Sequence, residues 1–476
     1  MTSLQREACD ADALNNHSNH PERCERINTR RATMTTITND PVTFSSGIPS
    51  LDDTLQGIWA GDNIVFQVDD LQDFLPFVHR FCHYAAEAGI PLVYFRFADH
   101  PSFLPEGVSA ECYYLDPQQG FENFISEIFE VIEKYGKRVY YLFDCLSGLA
   151  VDWYTDRMLA NFFMLTCPYL YTYDTVTYFV LLRNSHRPLA IQPIHNTAQV
   201  VLDVFRSKDT LYVLPLKVLK RHSPTMYMLH SWEEGAFHPV TKSVILSEIL
   251  SNTTQFSIDF NTDRKDIWTT TFMRAQTIDQ ESEHFSPEEH AELKTQLIKM
   301  IISRDKHIIR LCERYFSLSD LVSIGKRMIG SGLIGGKSAG MLLARGILRR
   351  SDEKFQTLLE RHDSFFIGSD VFYTYVIQND CWWERHYLKK SAHLFEDAKL
   401  LQKKLLTGEF PSDILEQFQE MLNYFGQSPI IVRSSSLLED AYGNAFSGKY
   451  ESVFCANQGT PMERLTSFIE AVRRVY

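Results

Sequence analysis

From Val42 to about Phe237, short apolar runs alternate with helical patterns: NIVFQV (63 to 68), PLVYFRF (91 to 97), VYYLFD (139 to 144) and TVTYFVLLR (175 to 183). Strands of this kind, apolar on both faces and separated by helices, predict a parallel sheet with helices packed on it. Between them, Phe121, Phe124, Ile125, Ile128, Phe129 and Ile132 repeat at the spacing of an amphipathic helix. VVLDVFR and TLYVLPLKVLK, separated by SKD, predict an antiparallel hairpin closing the sheet.

After Pro239 the pattern turns to long helices, clearest from Pro287 to Phe316, where Leu293, Leu297, Ile301 and Ile308 form one stripe. Glycine returns from Ser323 onward. The chain is accordingly expected to divide into a disordered polar leader (1 to 41), a sheet domain (42 to 238), a helical connector (239 to 320) and a glycine-bearing domain (321 to 476).

Composition narrows the function classes. A formal net charge of −13 over 476 residues gives nucleic acid or an anionic membrane little to attract. No run of about 18 apolar residues suggests a membrane span, and the acidic leader resembles neither a signal nor a transit peptide. Nine dispersed cysteines, without CxxC pairs or metal-ligand spacing, predict reduced thiols, no metal centre and a cytoplasmic location. Met34 is a second candidate start of translation.

The segment SSGIPSLDDTLQGIWAGDNIVFQVDD resembles the entry of the KaiC-like branch of the RecA family at Ser46, Gly47, Ile48, Leu51, Asp52, Leu55, Gly57 and Gly61, and PLKVLKRHSP resembles a later strand of that family. There, glycine amides and a lysine cradle phosphates after the first core strand. Here that place reads QVDDLQDFLPF, whose Asp69, Asp70 and Asp73 would repel a phosphate. Asp144, where the resemblance would place a magnesium-associated acid, is expected to be a strand-end or capping acid. The domain is therefore expected to be a degenerate, noncatalytic RecA-like module, with self-association its expected remaining role.

RMIGSGLIGGKSAGMLLARGIL combines glycines, Lys337 and an immediate helical run. Glycines let backbone approach an anion, and free amides at a helix start favour negative charge. A phosphate-loop motif misses by one position, because Ser331 stands where glycine is needed. A dinucleotide fingerprint is present as Gly330, Gly332 and Gly335, without a convincing preceding strand. Further on, SPIIVRSSSLLEDAYGNAFSGKYESVF delivers Arg433 and three serines from an apolar strand into a polar turn, a combination suited to phosphate oxygens.

These two segments resemble the ATP-binding domain of the phosphoenolpyruvate synthase and pyruvate phosphate dikinase family. IGGKSAGMLLA is similar to its GGKxAxLxxL element. The second segment matches its VRSSATAEDLPGASFAGQYET signature at Val432, Arg433, Ser434, Ser435, Glu439, Asp440, Gly443, Phe446, Gly448, Tyr450 and Glu451, and SFFIGSDVFYTYVIQND (364 to 380) resembles an element between them. Tyr442, Lys449 and Ser452 depart from the pattern, where proline, glutamine and threonine are usual.

The resemblance implies an α/β chain carrying the N-terminal part of an ATP-grasp-type fold. Lys337, Arg433, Gly335, Gly336, Ser434 and Ser435 would bind ATP phosphates, and Glu439, Asp440, Gly443, Phe446 and Gly448 would form the covering loop. Glu439 and Asp440 are expected to serve the loop rather than a metal. Catalytic residues are not assigned. ATP and Mg2+ are the implied cofactors, the magnesium ligands being expected beyond Tyr476. So are the phosphohistidine domain and the barrel for pyruvate or phosphoenolpyruvate; His386 and His393 lack the phosphohistidine context. The implied activity is transfer of ATP phosphate to a histidine and then to pyruvate, with this chain alone expected to be inactive. The alternative is a noncatalytic nucleotide-sensing or scaffold protein, or an incomplete product.

Overall fold

A computed structural model describes residues 43–233, 235–251, 266–281, 285–360, 363–388, 391–441, 444–446 and 448–476. The expected leader lies outside the described residues.

A ribbon of β1 (Thr43–Phe44) and β2 (Ile58–Trp59) leads into the main sheet. Its strands are β3 (Asn63–Val68), β4 (Leu92–Arg96), β5 (Glu111–Tyr114), β6 (Tyr140–Phe143), β7 (Val176–Leu182), β8 (Val200–Ser207), β9 (Thr210–Val218), β10 (His230–Glu233) and β11 (Ala236–Pro239). The order is β11-β10-β9-β8-β3-β7-β6-β4-β5. From β8 to β5 every pairing is parallel, and the hairpins from β8 through β11 are antiparallel. The result is a mixed α/β fold around a large, mostly parallel sheet.

Burial explains the near-continuous apolar strands. All six residues of β3 are buried, Val65 facing one core and Ile64, Phe66 and Val68 the other. On the second face Phe81, from the helix Leu75–Glu87, stacks between Tyr140 and Tyr178 with ring centroids 4.5 and 3.9 Å apart. Aromatic pairs in such contact add to simple area burial. On the first face, helices Phe121–Tyr135 and Asp156–Thr172 cover the sheet. This core continues into Val376, Ile377, Cys381, Trp382 and Leu401, so residues from the last quarter of the chain help cover the sheet.

The stretch from 287 to 316, expected to be helical, holds two helices. Helix Pro287–Ile301 starts at a capping box of Ser286 with Glu289, and Asp305 caps a second helix, Lys306–Tyr315, by accepting the amides of His307 and Ile308. Competition from short polar side chains for backbone amides ends one helix and begins the next.

In the last third, β12 (Met328–Ile329) pairs parallel with β13 (Phe366–Ile367). β14 (Ile430–Arg433), β15 (Asp440–Ala441), β16 (Asn444–Ala445) and β17 (Ser452–Cys455) follow, with β14 antiparallel to β17 and β15 to β16. No helix among the described residues is long and apolar enough to cross a membrane.

Candidate nucleotide site

The segments carrying Lys337 and Arg433 come together. Helix Gly336–Ser351 begins after Gly335, whose φ of +81° suits glycine. A Cβ on Gly335 would lie 1.9 Å from the Ser435 carbonyl oxygen, and one on Gly336 would lie 1.8 Å from that of Asp440. Two adjacent glycines are therefore needed to let the turn after β14 lie against the helix start.

That turn also caps the helix. Gly336 N–H donates to the Ser435 carbonyl at 2.8 Å, and Ser338 N–H donates to Ser435 Oγ at 3.0 Å. Ser434, which is buried, accepts the Ser436 amide through Oγ at 3.1 Å, while Ser436 Oγ accepts the Leu438 amide at 3.1 Å. Each serine oxygen thus receives a backbone N–H in a tight turn. Their hydroxyl hydrogens can still donate outward.

Lys337 Nζ lies 3.5 Å from Glu439 Oε2 and 3.4 Å from Asp440 Oδ2, with 30% of its side chain exposed. Glu439 folds the segment after it back on itself: its other carboxylate oxygen accepts the Gly448 amide at 3.0 Å, and its carbonyl accepts the Phe446 amide at 2.8 Å. Lys449 donates to the Leu438 carbonyl at 2.7 Å and sits over the exposed Phe446 ring. Gly443 and Tyr442 lie outside the described residues. Arg433 ends β14, paired with Ser452 in the antiparallel ladder, and its exposed side chain makes no hydrogen bond or ion pair among the described residues. Among the described residues the site therefore offers one cation without an internal partner and one held by two carboxylates.

The corresponding region of the first half carries a different arrangement. After β3 and β7, the guanidinium of Arg183 is 1% exposed and contacts Asp69, Asp203 and the carbonyls of Gln67 and Val204. An internal cation with its own carboxylates thus lies at the ends of β3 and β7. Burial pushes the Asp203 carboxyl up to about 6 against the opposing pull of Arg183. Asp144 is fully buried and accepts the Phe97 and Ala98 amides at 2.8 and 3.0 Å, with Arg96 Nε 3.2 Å away. It serves as a strand-end cap, as the sequence suggested.

His100 also approaches Asp144, at 3.4 Å. Its Nε2 also meets the Cys145 amide at 3.1 Å while Nδ1 faces the Pro101 carbonyl at 2.7 Å, so both ring nitrogens are engaged.

Sequence reasoning missed a buried Ser147–His186–Asp156 relay. Ser147 Oγ lies 2.7 Å from His186 Nε2, and His186 Nδ1 lies 2.9 Å from Asp156 Oδ1. The spacing in sequence carries no familiar signature, so only the fold reveals it. Ser147 Oγ already accepts the Leu182 amide, and the Gly148 and Leu149 amides are bonded to the Cys145 and Leu146 carbonyls. These two amides are therefore already engaged and do not form an oxyanion pair beside Ser147.

Clefts of about 290 and 360 Å3 lie near β4 and β5, lined by residues such as Arg96, Asp99 and Tyr114 or Tyr113, Glu127 and Lys134. Neither includes Lys337 or Arg433. Among the described residues no group of three His, Cys, Asp or Glu side chains could hold a metal ion, and all seven described cysteines are free thiols.

Residues 331–476 match the family model of the pyruvate phosphate dikinase AMP/ATP-binding domain. No curated protein matches the chain. The family match indicates an ATP-binding part of a protein similar to phosphoenolpyruvate synthase or pyruvate phosphate dikinase, with ATP as its ligand.

Proposed function

We propose that Lys337 and Arg433 hold the phosphates of ATP in a phosphotransferase similar to phosphoenolpyruvate synthase, with Glu439 to Gly448 as the covering loop. The observation that carries this reading is the contact of Ser435 with the Gly336 and Ser338 amides, which brings the two motif segments together. Arg433 would bind phosphate oxygens through its planar fork, and Lys337 would act as a point charge once it leaves its carboxylates. The serine hydroxyls would donate to remaining phosphate oxygens. Among the described residues no group of three His, Cys, Asp or Glu side chains is placed to hold a metal ion, and magnesium would reach such a site chiefly on the ATP phosphates. Transfer to histidine and then pyruvate is the activity that the family resemblance suggests.

The first half is proposed as a degenerate RecA-like module without nucleotide. The Arg183–Asp69–Asp203 cluster supports this, because an inserted phosphate would have to displace two carboxylates from a buried guanidinium. A second reading, in which the protein senses nucleotide or acts as a scaffold without transferring phosphate, rests on the hold that Glu439 and Asp440 keep on Lys337.

Thermal unfolding with and without Mg-ATP tests the binding assignment. ATP is expected to raise the melting temperature, and Lys337→Ala to abolish the rise; no shift in the parent protein would refute the assignment. Incubation with ATP labelled in both its β- and γ-phosphates then separates the two readings, since transfer would move label to protein, acceptor and released phosphate and sensing would leave ATP intact.

A further inference from the structure

The glycine-rich approach to Lys337 rests on a buried polar cluster whose cation comes from the opposite half of the chain. Arg157, near the start of helix Asp156–Thr172, has only 13% of its side chain exposed. Its Nε lies 3.3 Å from Asp370 Oδ2, and another guanidinium nitrogen pairs with Asp413. Asp370 belongs to the first turn of helix Ser369–Gln378 and is 1% exposed. Burial pushes its carboxyl above the ordinary range, with Arg157 the leading charge acting in the other direction.

Asp370 also builds the loop. Its Oδ1 accepts the Ser331 amide at 2.8 Å, and Oδ2 accepts the Ser331 hydroxyl at 2.7 Å. Thr155, the residue capping the Arg157 helix, reaches Ser331 Oγ at 2.8 Å. Next to this contact, the Leu333 amide donates to Ser369 Oγ at 3.2 Å, and the Gly330 amide donates to Gln417 Oε1 at 2.9 Å. Gly330 has φ +70°, and a Cβ there would lie 2.6 Å from Asp370 Oδ1. The loop is shaped around this carboxylate, and three residues after Leu333 the helix bearing Lys337 begins.

We infer that Arg157 is a positioning residue for the nucleotide site, locking the 330–335 loop through Asp370 and so fixing where Lys337 stands. The inference rests on the nucleotide reading of Lys337. It assigns the sheet domain a supporting function there, independent of any nucleotide of its own. Arginine suits the task because a single planar group serves Asp370 and Asp413 through different nitrogens, which a lysine ammonium reproduces only in part. Loss of the guanidinium would leave Asp370 buried without its compensating charge.

Hydrogen exchange on the full chain tests the positioning without requiring ATP. In Arg157→Ala the Ser331 and Leu333 amides are expected to exchange at least about tenfold faster, while β3 amides keep their parent rates. Arg157→Lys should fall between. The double variant Arg157→Met with Asp370→Asn should recover protection, because the asparagine oxygen still accepts the Ser331 amide and no buried charge remains.

Unchanged loop exchange in Arg157→Ala, a uniform rise across the chain, or failure of the double variant to recover would overturn the positioning role. In parallel, ATP affinity should fall about tenfold in Arg157→Ala and return in the double variant. If the parent protein binds no ATP, the nucleotide reading falls while loop exchange still decides whether Arg157 sets the loop. If ATP binds the parent and Arg157→Ala equally, the role assigned at the nucleotide site is refuted.

Discussion

The Lys337 ammonium stands 3.5 Å from a Glu439 carboxylate oxygen and 3.4 Å from one of Asp440, so two carboxylates neutralise the cation proposed to hold phosphate. Any incoming phosphate must compete with that pair. Because Lys337 is partly exposed, solvent screens the attraction and limits the competition to about 1 kcal/mol. Glu439→Gln combined with Asp440→Asn should therefore strengthen binding of magnesium-free tripolyphosphate by roughly two- to fivefold, measured by calorimetry. Weaker binding in the double variant would show that the carboxylates assist the anion site rather than occlude it.

Arg433 and Arg183 should behave oppositely. Arg433 is exposed and makes no internal polar contact among the described residues, so Arg433→Ala should change unfolding free energy by no more than about 0.5 kcal/mol. It should nevertheless weaken ATP binding about tenfold or more through loss of charge-assisted hydrogen bonds. Arg183→Ala would strip a buried guanidinium from two carboxylates and should cost about 3–5 kcal/mol. Its ATP affinity should stay at the parent value under conditions where both proteins are folded. Denaturant unfolding and equilibrium binding on both variants check the pair, and equal stability losses would sink the distinction.

The strands around NIVFQV and TVTYFVLLR were legible because burial on both faces leaves an uninterrupted apolar run, as β3 demonstrates. β5 was not, because its ECYY sequence is largely exposed at the sheet edge. The β10–β11 extension also escaped the sequence reading: each strand has only four residues and mixes polar with apolar positions. Around Lys337, the motif singled out candidate residues but could not give their mutual contacts. Ser435 capping Gly336 joins positions 99 apart, and Arg183 meets Asp69 across 114, distances at which no local pattern operates. The Arg157–Asp370 contact was hidden for the same reason, since each residue alone has the character of an ordinary surface charge.

Glycine substitutions should separate conformational necessity from general helix weakness. Gly335→Ala must accept φ +81° and place a methyl 1.9 Å from the Ser435 carbonyl, so it should destabilise the protein by about 2 kcal/mol or more and eliminate the ATP-induced thermal shift. Gly340, inside the same helix, has nothing within 4 Å of the point where an alanine methyl would sit, and alanine there should stabilise by about 0.5–1 kcal/mol. Thermal and denaturant unfolding of both variants provide the check. A Gly335→Ala protein with parent stability and parent ATP response would refute the required contact with the β14 turn.

The buried Asp203 should leave a signature in the pH dependence of stability. Its carboxyl titrates at about 6 in the folded protein, against about 3.9 for an unfolded aspartate. Burial is the main cause; Arg183 pulls the other way, and the neighbouring Asp69 adds to the rise. The folded state thus binds the proton more tightly, and protonation favours folding. This contribution is fully present below the unfolded value and is lost as pH rises through about 6. A shift of about two units corresponds to roughly 3 kcal/mol for the isolated titration. Subtracting the unfolding free energy of Asp203→Asn from that of the parent should therefore give a difference that falls between pH 4 and 7. A flat difference would mean that the Arg183 pair keeps Asp203 ionised throughout, and a rising one would mean that pairing outweighs burial.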